Sequence, residues 1–291
     1  MKRQLKIAIS GVFYALGWPV FALAQSLGFK LEPRLVILYY HGVPASNRAG
    51  FVRQMDMLAR WATVVRADWR GEQSKGRVCA ITFDDAFVSA IANALPELAG
   101  RQWPCTVFVP AGVMGRVPDW AMETRLASTE IVAGQDIIKS LPSSLVTVGA
   151  HTVSHPYLSR IPRHAARVEV EQSRSMLGMV TGQDVRLISF PYGDYDQEVA
   201  AMCREAGYEL AYGIEPKLVN PRTDQFVRGR VAVEPDDGRL EFFLKMSGAY
   251  RWMPVASALK HTLTSLLSSH TSMKYAPVAN SVDRNPSQGR P

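Results

Sequence analysis

A parallel α/β sheet or barrel is the fold class that this sequence predicts, and three observations carry the prediction. Apolar, β-rich runs recur without the polar alternation of a sheet wetted on one side. Segments with helical spacing separate them, as βαβ connections require. The unusual polar residues all fall at the carboxyl ends of those runs.

The elements follow in order along the chain. "RLVILYYHGV" (34–43) is a continuous strand-like run ending at His41 and Gly42. "FVRQMDMLARWA" (51–62) places Phe51, Met55, Leu58 and Ala62 on one helical face. "VCAITF" (78–83) is a second buried strand, and "AFVSAIANALPELAG" carries a helix to a stop at Gly100. "CTVFVP" (105–110) and "LVTVGAHT" (145–152) predict two more strands, and "VRLISFPYG" (185–193) a fifth strand with a turn. Helices at 164–182 and 197–207 flank the last of these, and "YELAYGI" (208–214) follows. No segment repeats internally. From residue 270 the chain is polar and aperiodic with three prolines, the pattern of a disordered tail over 270–291 after a C-terminal helix at 251–269.

The chain has 291 residues, 47% of them hydrophobic and 20% charged, enough to bury a sizeable core in one large domain. Its formal charge of +7 is scattered, with no basic run and no aromatic–basic alternation, which argues against nucleic acid as a partner. Three cysteines, Cys79, Cys105 and Cys203, show no paired spacing, so neither a disulfide framework nor a cysteine-bound zinc is expected. At the N-terminus, Lys2, Arg3 and Lys6 precede 23 residues without a charge (7–29). That length suits a membrane-crossing helix, and "ALA" at 22–24 suits a signal-peptide cleavage site. Gly11, Gly17 and Pro19 weaken a crossing helix, while Tyr14 and Trp18 suit an interface. Residues 1–30 are therefore expected to be a membrane anchor or signal segment.

The chemistry begins with "ITFDDAF". Two adjacent carboxylates, Asp84 and Asp85, close a buried strand, where each disfavours the charge on the other. A helix N-cap explains one of them but not both. In parallel α/β folds the carboxyl edge of the strands is where sites form, and His41, His151, His155 and Tyr192 all fall at that edge. The spacing H-x3-H lets His151 and His155 face one divalent cation. One aspartate then completes the ligand set, and the other stays free as a base. A glycosidase pair is less compatible, since its carboxyls face each other about 5 Å or more apart.

With "ITFDDAF", "GAHTVSHPYL" and "ISFPYGDYD" in this order, flanked by "LYYHGV" and "PCTVFVPAGVMG", the sequence resembles the NodB-homology polysaccharide deacetylases over roughly residues 35–250. The resemblance implies a distorted (β/α)7 barrel in one domain, over 34–250. It also implies a metal-dependent hydrolase, usually zinc-loaded, that removes acetyl groups from N-acetylated glycans. Asp84 corresponds to the general base, Asp85, His151 and His155 to the metal ligands, Pro191 and Tyr192 to the substrate groove, and the Tyr192 N–H to an oxyanion donor. The sequence departs from the family pattern in three places. Ala86 replaces the usual glycine, Ser189 stands where an arginine would orient the base, and no leucine-x-histidine motif follows, His261 fitting poorly. Arg230 is expected to supply the missing charge. His41 is the candidate acid, with a hydrogen-bonding support role as its competitor. A catalytically inactive carbohydrate-binding member and a deacetylase of a lipid-linked sugar are the rival readings. The expected setting is the cell envelope, membrane-associated or exported.

Overall fold

The computed structural model describes residues 2–27, 34–71, 76–120 and 130–259. The chain from Met1 to Met253 forms one compact α/β unit. Its strands are β1 (Leu35–Tyr40), β2 (Ala62–Val65), β3 (Arg77–Phe83), β4 (Cys105–Val109), β5 (Val146–Ala150), β6 (Leu187–Ser189), β7 (Leu210–Tyr212), β8 (Val227–Arg228) and β9 (Val231–Ala232). The helices are α1 (Arg3–Ser26), α2 (Arg48–Trp61), α3 (Val88–Asn93), α4 (Leu95–Gly100), α5 (Gln135–Lys139), α6 (Arg163–Thr181), α7 (Gln197–Glu205) and α8 (Arg239–Met246).

All the strand pairs are parallel, in the order β8-β7-β6-β5-β4-β3-β1-β9, with β2 beside β3. β2 pairs with the first half of β3 and β4 with its end, so the two share one edge. The stretch 227–232 pairs with β7 through β8 and with β1 through β9. Six residues thus join both edges of the sheet and draw it into a distorted barrel.

Successive strand residues point to opposite faces, so the buried residues divide by parity. Leu35 and Ile37 of β1, Val78 and Ala80 of β3, Phe108, Leu187, Leu210 and Tyr212 fill the barrel interior. Val36, Leu38 and Tyr40 pack outward with Phe51, Met55 and Leu58 of α2. Every residue of β1 is buried, which explains why the run carries no polar alternation. Gly149 of β5 is required by this packing, since a Cβ there would lie 2.5 Å from the Phe108 ring.

Two local readings of the sequence need correction. The predicted single helix over 86–100 is two, α3 and α4, breaking at Ala94 because Pro96 offers no N–H and crowds the turn before it. Ala62 is not the last residue of its helix but the first of β2, with extended φ and ψ. The fifth strand is followed by a turn as expected: the strand ends at Ser189, and Pro191 starts a 3-10 turn.

The N-terminal segment forms α1, and its inner face docks on the domain. Arg3 binds Glu241 at 2.7 Å and Asp237 at 2.9 Å. Trp252 donates to Ser10, Arg77 donates to the Tyr14 hydroxyl, and Tyr14 packs edge-on to Phe243. Leu5, Val12, Leu16 and Leu23 remain exposed on α1. Among the described residues no helix is long and apolar enough to cross a membrane. Of the second unit, Pro254–Pro291, residues 254–259 are helical; the expected tail and the rest of the C-terminal helix lie outside the described residues.

Candidate active site

Parity along the strands places the polar residues. In β3, Val78, Ala80 and Thr82 face the interior, and Asp84 follows them into the barrel mouth. Asp85 would point the other way in a regular strand. Its φ of 63° and the 48° of Ala86 turn the chain, so the second carboxylate also reaches the mouth. Of the six non-glycine residues with positive φ among the described residues, five sit at this site: Asp85, Ala86, Thr152, His155 and Tyr192. Strained backbone of this kind persists only where the surroundings impose it, and it gathers at functional sites.

The two aspartates have separate partners. Arg230 grips Asp84 with both ends of its fork, Nη1 to Oδ1 at 2.7 Å and Nη2 to Oδ2 at 2.8 Å. The guanidinium is fully buried and also donates to Thr82 Oγ1, Ser189 Oγ and the Gly213 carbonyl. It lies against the rings of Tyr39, Phe108 and Tyr212, 4.6 to 5.9 Å from their centroids. The side chain arises between β8 and β9, at the seam of the barrel. Burial pushes Asp84 up, but the charges of Arg230 and His151 and the Arg230 hydrogen bonds outweigh it and hold the carboxyl down to about 2. Burial and the neighbouring Asp84 charge instead push Asp85 well above the usual carboxylate range.

Asp85 faces the histidines. Its Oδ1 is 3.6 Å from His151 Nε2 and 3.4 Å from His155 Nε2, and it is buried without a hydrogen-bond partner. Bonds of about 2.1 Å to one tetrahedral ion put neighbouring donors ~3.4 Å apart, and the two distances from Asp85 to the imidazoles match such an edge. His151 Nδ1 donates to the Ser189 carbonyl at 2.8 Å, which leaves Nε2 with its lone pair toward Asp85. Burial lowers both imidazoles, His155 to about 2, keeping them in the neutral form that binds metals.

The loop carrying the histidines is fixed by residues that the sequence did not single out. Glu169 of α6 accepts from the main-chain N–H groups of Val153 and Ser154 and from the Ser154 hydroxyl. Thr152 Oγ1 accepts from the His155 N–H. Asp194 receives the N–H and hydroxyl of Ser159, tying this loop to the turn after β6. In that turn, Pro191 is buried and the Tyr192 ring meets His155 edge-on at 4.7 Å and stacks on Tyr157 at 3.8 Å. Trp120, equally unforeseen, stacks on His155 at 4.2 Å. His41, next beyond β1 with interior parity, feels the charges of Asp84, His151 and Arg230, and burial lowers it to about 4. His261 lies outside the described residues.

A parallel barrel with a carboxylate–imidazole cluster that could hold a metal ion, and a separate ionised aspartate in its mouth, has the groups that hydrolysis requires. The chain matches the family model for polysaccharide deacetylases over residues 71–211. It is accordingly a hydrolase of carbon–nitrogen bonds, of the N-deacetylase class. The Bacillus subtilis protein YxkH is 22% identical over 214 residues, 69% of this chain and 72% of that protein. A poly-beta-1,6-N-acetyl-D-glucosamine N-deacetylase of Staphylococcus aureus is 21% identical over 164 residues, and the alignment spans 54% of each chain. Among solved structures, IcaB from Ammonifex degensii superposes with a TM-score of 0.62 at 26% identity, over 75% of this chain and 97% of that one. The Streptococcus pyogenes deacetylase PplD superposes at 0.61 and 17% identity, over 74% and 99%, which speaks for the fold alone.

Proposed function

We propose that the protein removes acetyl groups from an N-acetylated polysaccharide by metal-assisted hydrolysis. The observation that carries this reading is the division of labour between adjacent aspartates: Asp85 beside two neutral imidazoles, Asp84 held away by Arg230. Likeness to the staphylococcal poly-N-acetylglucosamine enzyme supports a glycan substrate. So do the rings of Trp120, Tyr157 and Tyr192 beside the site, which offer flat faces to the apolar side of a sugar.

Asp85, His151 and His155 would hold a divalent ion, zinc by the nature of the donors. When bound, such an ion supplies a Lewis acid for the amide carbonyl and makes water more acidic. Asp84 then removes the proton from the attacking water. Arg230 holds this carboxylate in its ionised form, the state that can accept the proton. The Tyr192 N–H donates to the oxygen of the acetyl group as charge develops there. The proton that Asp84 takes from water passes to His41, which is neutral at rest, and from the resulting imidazolium to the departing amine.

Metal analysis of the purified protein, coupled to acetate release from N-acetylated glycans that include β-1,6-linked N-acetylglucosamine oligomers, tests the reading. One zinc per chain and acetate release abolished by a chelator are expected; a metal-free protein without activity after zinc loading would refute it. We place the enzyme in the cell envelope, with the exposed leucines of α1 against a membrane surface. Co-sedimentation with anionic vesicles should be lost in the Leu16→Glu/Leu23→Glu variant. Equal binding by both proteins counts against that placement.

A further inference from the structure

The two histidines are oriented by different means. A metal-binding imidazole usually donates its second ring N–H to a carbonyl or carboxylate, and this fixes the ring. His151 follows that rule through the Ser189 carbonyl. His155 does not, because its Nδ1 is buried with no hydrogen-bond partner. Its backbone is also strained, with φ at 62°, so its ring needs support from elsewhere. That support is aromatic. Trp120 lies nearly parallel to the imidazole, 4.2 Å away with 15° between planes. Tyr192 and His151 meet the same ring edge-on, at 4.7 and 4.8 Å.

We propose that Trp120 is a positioning residue that holds His155 in its ligand orientation by stacking, in place of the missing hydrogen bond. The inference rests on the metal-binding reading above and adds a residue to it. The segment leading to Trp120 is anchored to the histidine loop itself. The Ala111 and Gly112 N–H groups donate to the Thr152 and Val153 carbonyls, and Val132 is hydrogen-bonded to both Gly115 and Arg116. A Cβ at Gly112 would lie 2.7 Å from the Val153 side chain, so the two segments are in close contact there. Trp120 is only half-buried, so its removal opens one face of His155 to water without emptying the barrel core.

The test is metal affinity, measured by competition with a chromophoric chelator, on full-length protein and its Trp120→Ala and Trp120→Phe variants. Trp120→Ala is expected to weaken zinc binding about 10- to 100-fold, the range seen when an orienting partner of a ligand is removed. It should also alter the visible spectrum of the cobalt-loaded protein. Trp120→Phe, which keeps a stacking ring, should stay within a few-fold of wild type. Trp61→Ala, at an exposed position on α2, should change nothing. Wild-type affinity in Trp120→Ala, or an equal loss in Trp120→Phe, overturns the inference alone. A wild-type chain that takes up no metal overturns the site and this inference together.

Discussion

Asp84→Asn is expected to lower turnover by about 10²- to 10⁴-fold, the contribution of a positioned general base, while leaving the metal bound. Asp85, His151 and His155 are the cluster that can share an ion, and Asp84 is not part of it. The asparagine has the shape of the aspartate but cannot take a proton from water. It also turns one of its two ends into a donor. Arg230 presents Nη1 and Nη2 to the two oxygens, so one of these bonds becomes donor against donor. Some loss of thermal stability accompanies the loss of turnover, and zinc content separates the two effects. One zinc per chain with activity down at least a hundredfold is the expected result. Turnover within tenfold of wild type would remove Asp84 from the base role. His155→Ala should do the reverse and release the ion.

How much of this was legible beforehand varies with the kind of signal. Strand ends are local in the sequence, so Asp84, Asp85, His41, His151 and His155 could all be assigned to one edge by counting. What brings Asp85 round to the same side as Asp84 is a left-handed backbone at a non-glycine residue, which no propensity announces. The barrel seam was hidden for another reason. β8 and β9 are two residues each, too short for any periodicity, although Arg230 sits between them. Glu169 looks like an ordinary charge on a solvated helix until the loop of Val153 and Ser154 is seen folded onto it. Trp120 belongs to no motif, and its contact with His155 spans 35 positions (155 − 120). The break at Pro96 was readable, because a proline inside a helical pattern argues for an end at that point.

Arg230→Ala is expected to cost both stability and activity, and its pH profile tells the two apart. Removing one member of a buried, hydrogen-bonded ion pair typically destabilises by about 3–5 kcal/mol, because the partner charge is left uncompensated. A fall in melting temperature on the order of 10 °C follows for a domain of this size. A purely structural role would end there. The guanidinium, however, is the principal charge that holds Asp84 down against the opposing effect of burial. The sign is definite: a carboxyl depressed by its partner is ionised at all pH values well above its folded pKa, and losing the partner raises that pKa. The acidic limb of kcat/KM should therefore move to higher pH in Arg230→Ala, with protonated, inactive enzyme accumulating where the wild type is fully ionised. Arg230→Lys keeps a positive charge but cannot grip both oxygens at once, so a smaller shift and an intermediate turnover are expected. A side chain acting by packing alone would not produce that graded series, whereas a charge acting on Asp84 must. A limb unchanged in position across all three proteins would reduce Arg230 to a structural brace at the barrel seam.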